Sequence, residues 1–227
     1  MKERGWDSYR ERWLDSMKVD VLGEQMAFQQ TDALAGDGNV GGTLWDASFV
    51  LANYLPLKYK SMKGMKTVEF GCGVSAITTI FSGALGAHAI ATDLPDVTKR
   101  AQENITRNLA AVRKLTARSG GEVHTQPFVW GQDNVTALPK ADLLLCAETF
   151  YYEHLVDPLI DVLIGMIQHS PKAVGIAAHW YRGTEGEKIF HTRGPKVFKH
   201  WRELDPSELH PDYTSENVAV IVFSGLL

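Results

Sequence analysis

The chain has 227 residues, 44% apolar and 22% charged, with a net charge of −4, enough for one large α/β domain or two small ones and ordinary for a soluble globular protein. No stretch approaches the roughly 18 consecutive apolar residues of a membrane span, and Met1-Lys2-Glu3-Arg4-Gly5-Trp6-Asp7 has no apolar signal-peptide core. The absence of a long basic run argues against nucleic acid as the main partner, so the expectation is a cytoplasmic protein, the nucleus also being open, that acts without a membrane.

In chain order, Trp6, Tyr9, Trp13 and Met17 recur at helical spacing and predict an amphipathic N-terminal helix. It packs on the domain's flank or serves as a substrate-contacting arm. Ala35 to Gly42 reads as a flexible loop. Residues 1–42 are thus expected as a helical arm and loop, and 43–227 as one compact domain. A helix follows from Leu44 to about Tyr54, with Thr43 as candidate N-cap. A strand at 67–72 leads to a helix near 74–85, and a strand at 88–93 to a helix that starts at Pro95. Val97, Ala101, Ile105, Leu109 and Val112 give that helix an apolar stripe. Strands near 122–129 and 141–147, a helix near 154–169 and a strand at 172–180 come next. Two further strands, 197–203 and 218–224, have no helix-length apolar segment between them and are expected to pair antiparallel. This order predicts an α/β fold: a doubly wound, mostly parallel, seven-stranded Rossmann-like sheet with a C-terminal antiparallel strand pair and an N-terminal helical extension.

The most informative stretch is Thr67-Val68-Glu69-Phe70-Gly71-Cys72-Gly73-Val74-Ser75. It is a strand that runs into a glycine turn and then a helix, at the edge where open α/β sheets bind nucleotide-like ligands. Glycines there let the backbone approach a ligand closely. Gly71 to Ala76 satisfies the G-x-G-x-x-G/A fingerprint, and Asp93 follows Gly73 by 20 residues, about where an acid meets a ribose hydroxyl. Taken alone, that is compatible with NAD. Glu69 points elsewhere: an anion facing the ligand repels a pyrophosphate and favours a cationic sulfonium. The strand at 141–147 ends in Glu148-Thr149-Phe150-Tyr151, an acid and a phenol three residues apart. Phe150, Tyr151, Tyr152, Trp180 and Tyr181 fall at strand ends on the same edge, where aromatic faces can line a channel for an alkylammonium. Cys72 and Cys146, the two cysteines, suit a reducing compartment, and the eight histidines lack the paired spacing of a zinc site, so no metal is expected.

The ordered set Gly42-Thr43-Leu44-Trp45-Asp46, Glu69-Phe70-Gly71-Cys72-Gly73, Thr92-Asp93-Leu94-Pro95, Glu103-Asn104 with Asn108, Trp130-Gly131 and Ala147 to Tyr151 resembles the class I seven-strand methyltransferases that use S-adenosylmethionine. More narrowly, it resembles the subgroup that methylates lysine in chaperones, elongation factors and calmodulin, over about residues 41–190. The resemblance implies S-adenosylmethionine as methyl donor, S-adenosylhomocysteine as product and a protein lysine as acceptor. Gly71 and Gly73 would then admit the cofactor's amino-acid end, with Glu69 beside them. Asp93 would accept from both ribose hydroxyls, Trp130 would pack on adenine, Ala147 would leave room, and Trp45 would close over the methionine side. Cys72 and Leu94 complete the cofactor set, and Glu148 and Tyr151 would form the catalytic acceptor site. The subgroup most often carries Asp-x-x-Tyr where this chain has Glu148, one methylene longer. The alternatives are a small-molecule N- or O-methyltransferase, a nicotinamide-dependent oxidoreductase, and a non-catalytic binding module on the same fold.

Overall fold

The computed structural model describes residues 14–30 and 40–227. It opens with a β-hairpin, β1 (Ser16–Val21) and β2 (Glu24–Gln29). After a 3-10 turn at Val40–Gly42 come α1 (Asp46–Lys58), β3 (Lys66–Phe70), α2 (Ile77–Ala84), β4 (His88–Asp93), α3 (Pro95–Arg107) and α4 (Leu109–Ser119). The chain continues with β5 (Glu122–Pro127), β6 (Leu143–Ala147), α5 (Glu153–His169), β7 (Val174–Trp180), α6 (Glu185–Arg193), β8 (Phe198–Glu203) and β9 (Val218–Leu226).

The main sheet has seven strands in the order β5-β4-β3-β6-β7-β9-β8. β3, β4, β5, β6 and β7 run parallel; β9 is antiparallel to both β7 and β8. The expected doubly wound sheet and its antiparallel C-terminal pair are therefore observed. Strand alternation divides the apolar residues between two cores. Leu143, Leu145 and Ala147 on β6 face α1, α2, α3 and α4, whereas Leu144 and Cys146 face α5 and α6. Successive connections from β3 go to β4 on one side and, later, to β6 on the other. The strand order thus reverses between β3 and β6, and the crevice outside their C-terminal ends is where such sheets bind ligands.

Several local expectations are corrected. Residues 16–29 form a hairpin and not a helical arm: Met17, Val19 and Val21 are buried in strict alternation, a period-2 pattern that helical spacing from Trp6 to Met17 obscures. Trp6, Tyr9 and Trp13, and residues 35–39 of the expected loop, lie outside the described residues. Thr43 is not an N-cap, because α1 starts at Asp46 with Trp45 in the cap position and no side-chain cap bond. The helix from Pro95 breaks at Asn108 (φ −98°, ψ 15°) into α3 and α4. The reason is visible in the side chains that bind the hairpin. Asn104 Oδ1 accepts from the Gln29 N–H (2.8 Å) and its amide donates to the Gln29 carbonyl (2.9 Å). Asn108 does the same with Ala27 (2.9 Å each way). Two asparagines thereby satisfy backbone groups along one edge of β2, which among the described residues has no sheet neighbour on that side. Helix α6 was not expected, since Glu185–Arg193 carries only Ile189 and Phe190 as large apolar residues.

Candidate active site

A cavity of about 500 Å³ opens at the C-terminal edge of β3, β4 and β6. Its floor is the glycine turn. Gly71 has φ +74° and Gly73 φ +58°, in the left-handed region that glycine alone enters without strain. A Cβ at Gly71 would lie 2.6 Å from the Thr149 methyl and 3.3 Å from the Trp130 ring, so a side chain there would collide with the cavity wall. The turn is tied to the end of β4: the Gly71 and Cys72 N–H groups donate to the Thr92 carbonyl (2.9 and 3.0 Å).

Asp93 ends β4 and faces the cavity. Its Oδ2 accepts from the Gly73 N–H (2.9 Å) and its Oδ1 from the Leu94 N–H (2.8 Å). Burial pushes its pKa up and the two backbone donors oppose that shift. Leu94 lines the rim and is half exposed, and Cys72 lines the floor with its thiol pushed up by burial. Trp130, after β5, forms one wall; its indole N–H is buried and without a partner among the described residues. Trp45 forms another wall, oriented by an N–H bond to the Val40 carbonyl (2.9 Å). Ala147, the last residue of β6, is small enough to leave the space beside it open.

Glu69 is the one expected cofactor residue that the structure places elsewhere. It is 2% exposed and absent from the cavity lining. Its carboxylate turns under the glycine turn to the N-terminus of α2, where Oε2 accepts from the Thr79 N–H (2.9 Å) and from the Thr79 hydroxyl. A carboxylate there satisfies one of the helix's orphan donors and meets the positive end of its dipole. Burial nevertheless lifts its pKa to about 7, with Asp93 adding a smaller repulsive contribution. Glu69 therefore ties the strand end below the turn to the start of α2 and does not itself line the cavity.

Glu148 and Tyr151 do line the cavity, as expected. Glu148 adopts φ +57°, a strained value for a residue with a Cβ. It is fixed by its own N–H to the Ala178 carbonyl (2.8 Å) and by Oε1, which accepts from the Trp180 N–H (3.2 Å). Its Oε2 accepts from Arg182 Nη1 at 2.6 Å. Burial pushes the Glu148 pKa up, and the Arg182 charge opposes that. Burial likewise raises the Tyr151 phenol. Of the other strand-end aromatics, Tyr152 lines the cavity, but Phe150 is buried against Phe190 (ring centroids 3.6 Å apart), and the Tyr181 hydroxyl donates to Glu203 (2.9 Å). Trp180 contributes its backbone N–H and does not line the space. Arg182 carried no signal in the sequence beyond its place two residues after the end of β7, 34 residues from its partner.

Comparison with known proteins adds the family. The sequence profile described as lysine methyltransferase matches residues 26–193. The chain is 26% identical over 189 residues to mouse EEF1A lysine methyltransferase 3, covering 82% of this chain and 73% of that protein. It is 27% identical to the zebrafish protein N-lysine methyltransferase METTL21A over 126 residues, 55% of this chain; it spans 54% of that relative's length, about half. Among solved structures, the TehB-like SAM-dependent methyltransferase from Corynebacterium glutamicum superposes with a TM-score of 0.53 at 14% identity, covering 83% of this chain and 91% of that one, a likeness of fold. With the family profile spanning β2 to α6 and thus every strand that builds the cavity, the chain belongs to the lysine methyltransferase family.

Proposed function

We infer that this chain transfers a methyl group from S-adenosylmethionine to the side-chain amine of a lysine in a protein. The observation that carries the reading is one cavity in which the glycine turn, Asp93 and Trp130 meet Glu148 and Tyr151, in a chain of the lysine methyltransferase family. When bound, S-adenosylmethionine supplies a methyl group activated by a sulfonium.

The residues present fit that group. A volume of about 500 Å³ is in the range of small-ligand sites. Asp93 has filled one acceptor position on each oxygen with a backbone N–H and keeps others for two ribose hydroxyls. The glycine at 71 preserves the space beside the Trp130 ring that a Cβ would fill, and the orphaned Trp130 N–H is a donor for a polar ligand atom. The Trp45 face is suited to a cation.

The acceptor must arrive uncharged to act as a nucleophile, although an unperturbed lysine has a pKa of about 10.4. Glu148, held by three hydrogen bonds to β7 and the Arg182 loop, accepts a hydrogen bond from the amine and orients it. Tyr151 and Tyr152 line the approach and exclude water. The proton leaves to solvent before the site closes. The test is incubation of the chain with labelled S-adenosylmethionine and a dialysed cell extract, with and without protease. Label on a protein band that protease abolishes is the expected result; label confined to small molecules supports a small-molecule methyltransferase instead. Elongation factor 1A, named in the mouse relative, is the first purified acceptor to assay.

A further inference from the structure

We propose that Arg182 is a positioning residue for this transfer: its guanidinium cancels the charge of Glu148, so that the acceptor amine can be held by the carboxylate without being held in its protonated form. The proposal rests on the lysine methyltransferase reading and deepens it. A bare carboxylate beside a lysine stabilises the ammonium, raising its pKa by ~1–3 units, the opposite of what a nucleophile needs. Glu148 would be such a carboxylate if it stood alone.

It does not stand alone. Arg182 Nη1 lies 2.6 Å from Glu148 Oε2, with side-chain exposures of 33% and 6%. Arg182 does not itself line the cavity, so it reaches the carboxylate without taking the amine's space. The guanidinium is fixed from three directions. Its carbon lies 5.4 Å from the Trp45 ring centroid, and Nη1 also approaches the Trp180 carbonyl (3.4 Å). The Arg182 backbone N–H donates to both oxygens of Glu187 (3.1 and 3.0 Å), and the Gly183 N–H joins it (2.9 Å). Glu187, 4% exposed on α6, thus clamps the loop that carries Arg182. The other charged or titratable groups facing the pair or its cavity are Asp46 in the first turn of α1, Asp93 at the end of β4, Tyr151 and Tyr152 after β6, His154 on α5, Glu187 on α6, and His179 on β7, which burial keeps neutral. Two of these groups respond to the pair itself: without Arg182 the His179 imidazole is held down less, and without Glu148 the Tyr151 phenol is pushed up less, so the double variant, which removes both charges together, is the control for those responses.

The experiment measures label transfer from saturating S-adenosylmethionine into dialysed cell extract between pH 6 and 10, with the rate without enzyme subtracted. The unaltered chain, Arg182→Gln, Glu148→Gln and the double variant are compared. The rate rises with pH as the amine loses its proton. Removing the positive charge should move that rise up by about one pH unit. Removing the negative charge should move it down by a similar amount. The double variant, neutral at both positions, should fall between them and near the unaltered chain. Calorimetry with S-adenosylhomocysteine, expected within about threefold for all four proteins, shows that the cofactor site is intact. Coincident pH profiles with only a lower rate would overturn the role of Arg182. If Arg182→Gln no longer binds S-adenosylhomocysteine, Arg182→Met, which keeps the aliphatic stem without the charge, takes its place, and coincidence of its pH profile with that of the unaltered chain overturns the proposal. A chain that labels nothing at any pH removes the methyltransferase reading itself and the proposal with it.

Discussion

Asp93 and Glu69 are both buried acids beside the glycine turn, yet their geometry gives them different work. Asp93 faces the cavity with acceptor capacity left over. Asp93→Ala should lower affinity for S-adenosylhomocysteine ~10–100-fold, the worth of one or two hydrogen bonds to a charged group. Calorimetry checks this, with circular dichroism showing that the fold survives. Glu69 faces away, into the N-terminus of α2. Its pKa is raised from 4.5 in the unfolded chain to about 7 in the fold. The folded state therefore binds more protons than the unfolded state between those values, and Glu69's contribution to stability falls as pH rises through that window. A rise of this size is worth on the order of 3 kcal/mol. Glu69→Gln should accordingly lose less stability than the unaltered chain between pH 5 and pH 8, as read from urea midpoints. Gly71→Ala should both destabilise the fold and impair cofactor binding, because φ +74° and a 2.6 Å approach to Thr149 oppose any Cβ. At this scale the sequence showed which residues gather at the edge but not which way they turn. Glu69 lies inside a binding signature and yet points to a helix end ten residues on. Glu148 reads as a free acid, but its countercharge Arg182 is 34 residues away, a pairing that only the adjacency of β6 and β7 creates.

The elements themselves were mostly legible, for physical reasons that differ along the chain. β6 (Leu143–Ala147) and Val218 to Phe223 of β9 are unbroken apolar runs because both faces of the sheet are covered. α3 was marked by Pro95 at its first turn and by a buried stripe of Val97, Ala101 and Ile105. The hairpin was missed. Met17, Val19 and Val21, and Met26 and Phe28, alternate with exposed positions as half-buried strands do, but each strand is only six residues long and the helical spacing from Trp6 to Met17 competes with the alternation. The hairpin's place is set by side chains, since Asn104 and Asn108 act as a substitute strand edge for β2. Asn108→Ala should therefore cost about 1–3 kcal/mol, the penalty of leaving the Ala27 N–H and carbonyl without their partner. Hydrogen exchange should show faster opening of β2 in that variant while β3 and β6 keep their protection. α6 was missed because its role is electrostatic as much as apolar. Thr184 caps it, Glu187 clamps the Arg182 loop, and Phe190 stacks on Phe150.

For the whole molecule, the strand order places β3 and β6 side by side with their connections diverging, and the cavity follows from that reversal. The glycine turn and Asp93 lie at the ends of β3 and β4, and Glu148 and Arg182 beyond the ends of β6 and β7, with Trp45, the residue before α1, lining the cavity and its ring centroid 5.4 Å from the Arg182 guanidinium carbon. The fold and most of the cavity lining, Glu148 and Tyr151 included, were readable because short, ordered motifs encode them. Arg182 was not, because it stands alone on a different connection from Glu148. The measurement that bears most directly on the account is amino-acid analysis of the protein labelled by this chain. Hydrolysis of the labelled band should release radioactive methyl groups on lysine, and the yield should fall at least tenfold when Glu148 is replaced by Ala. Radioactivity on any other residue, or none in protein at all, would contradict it.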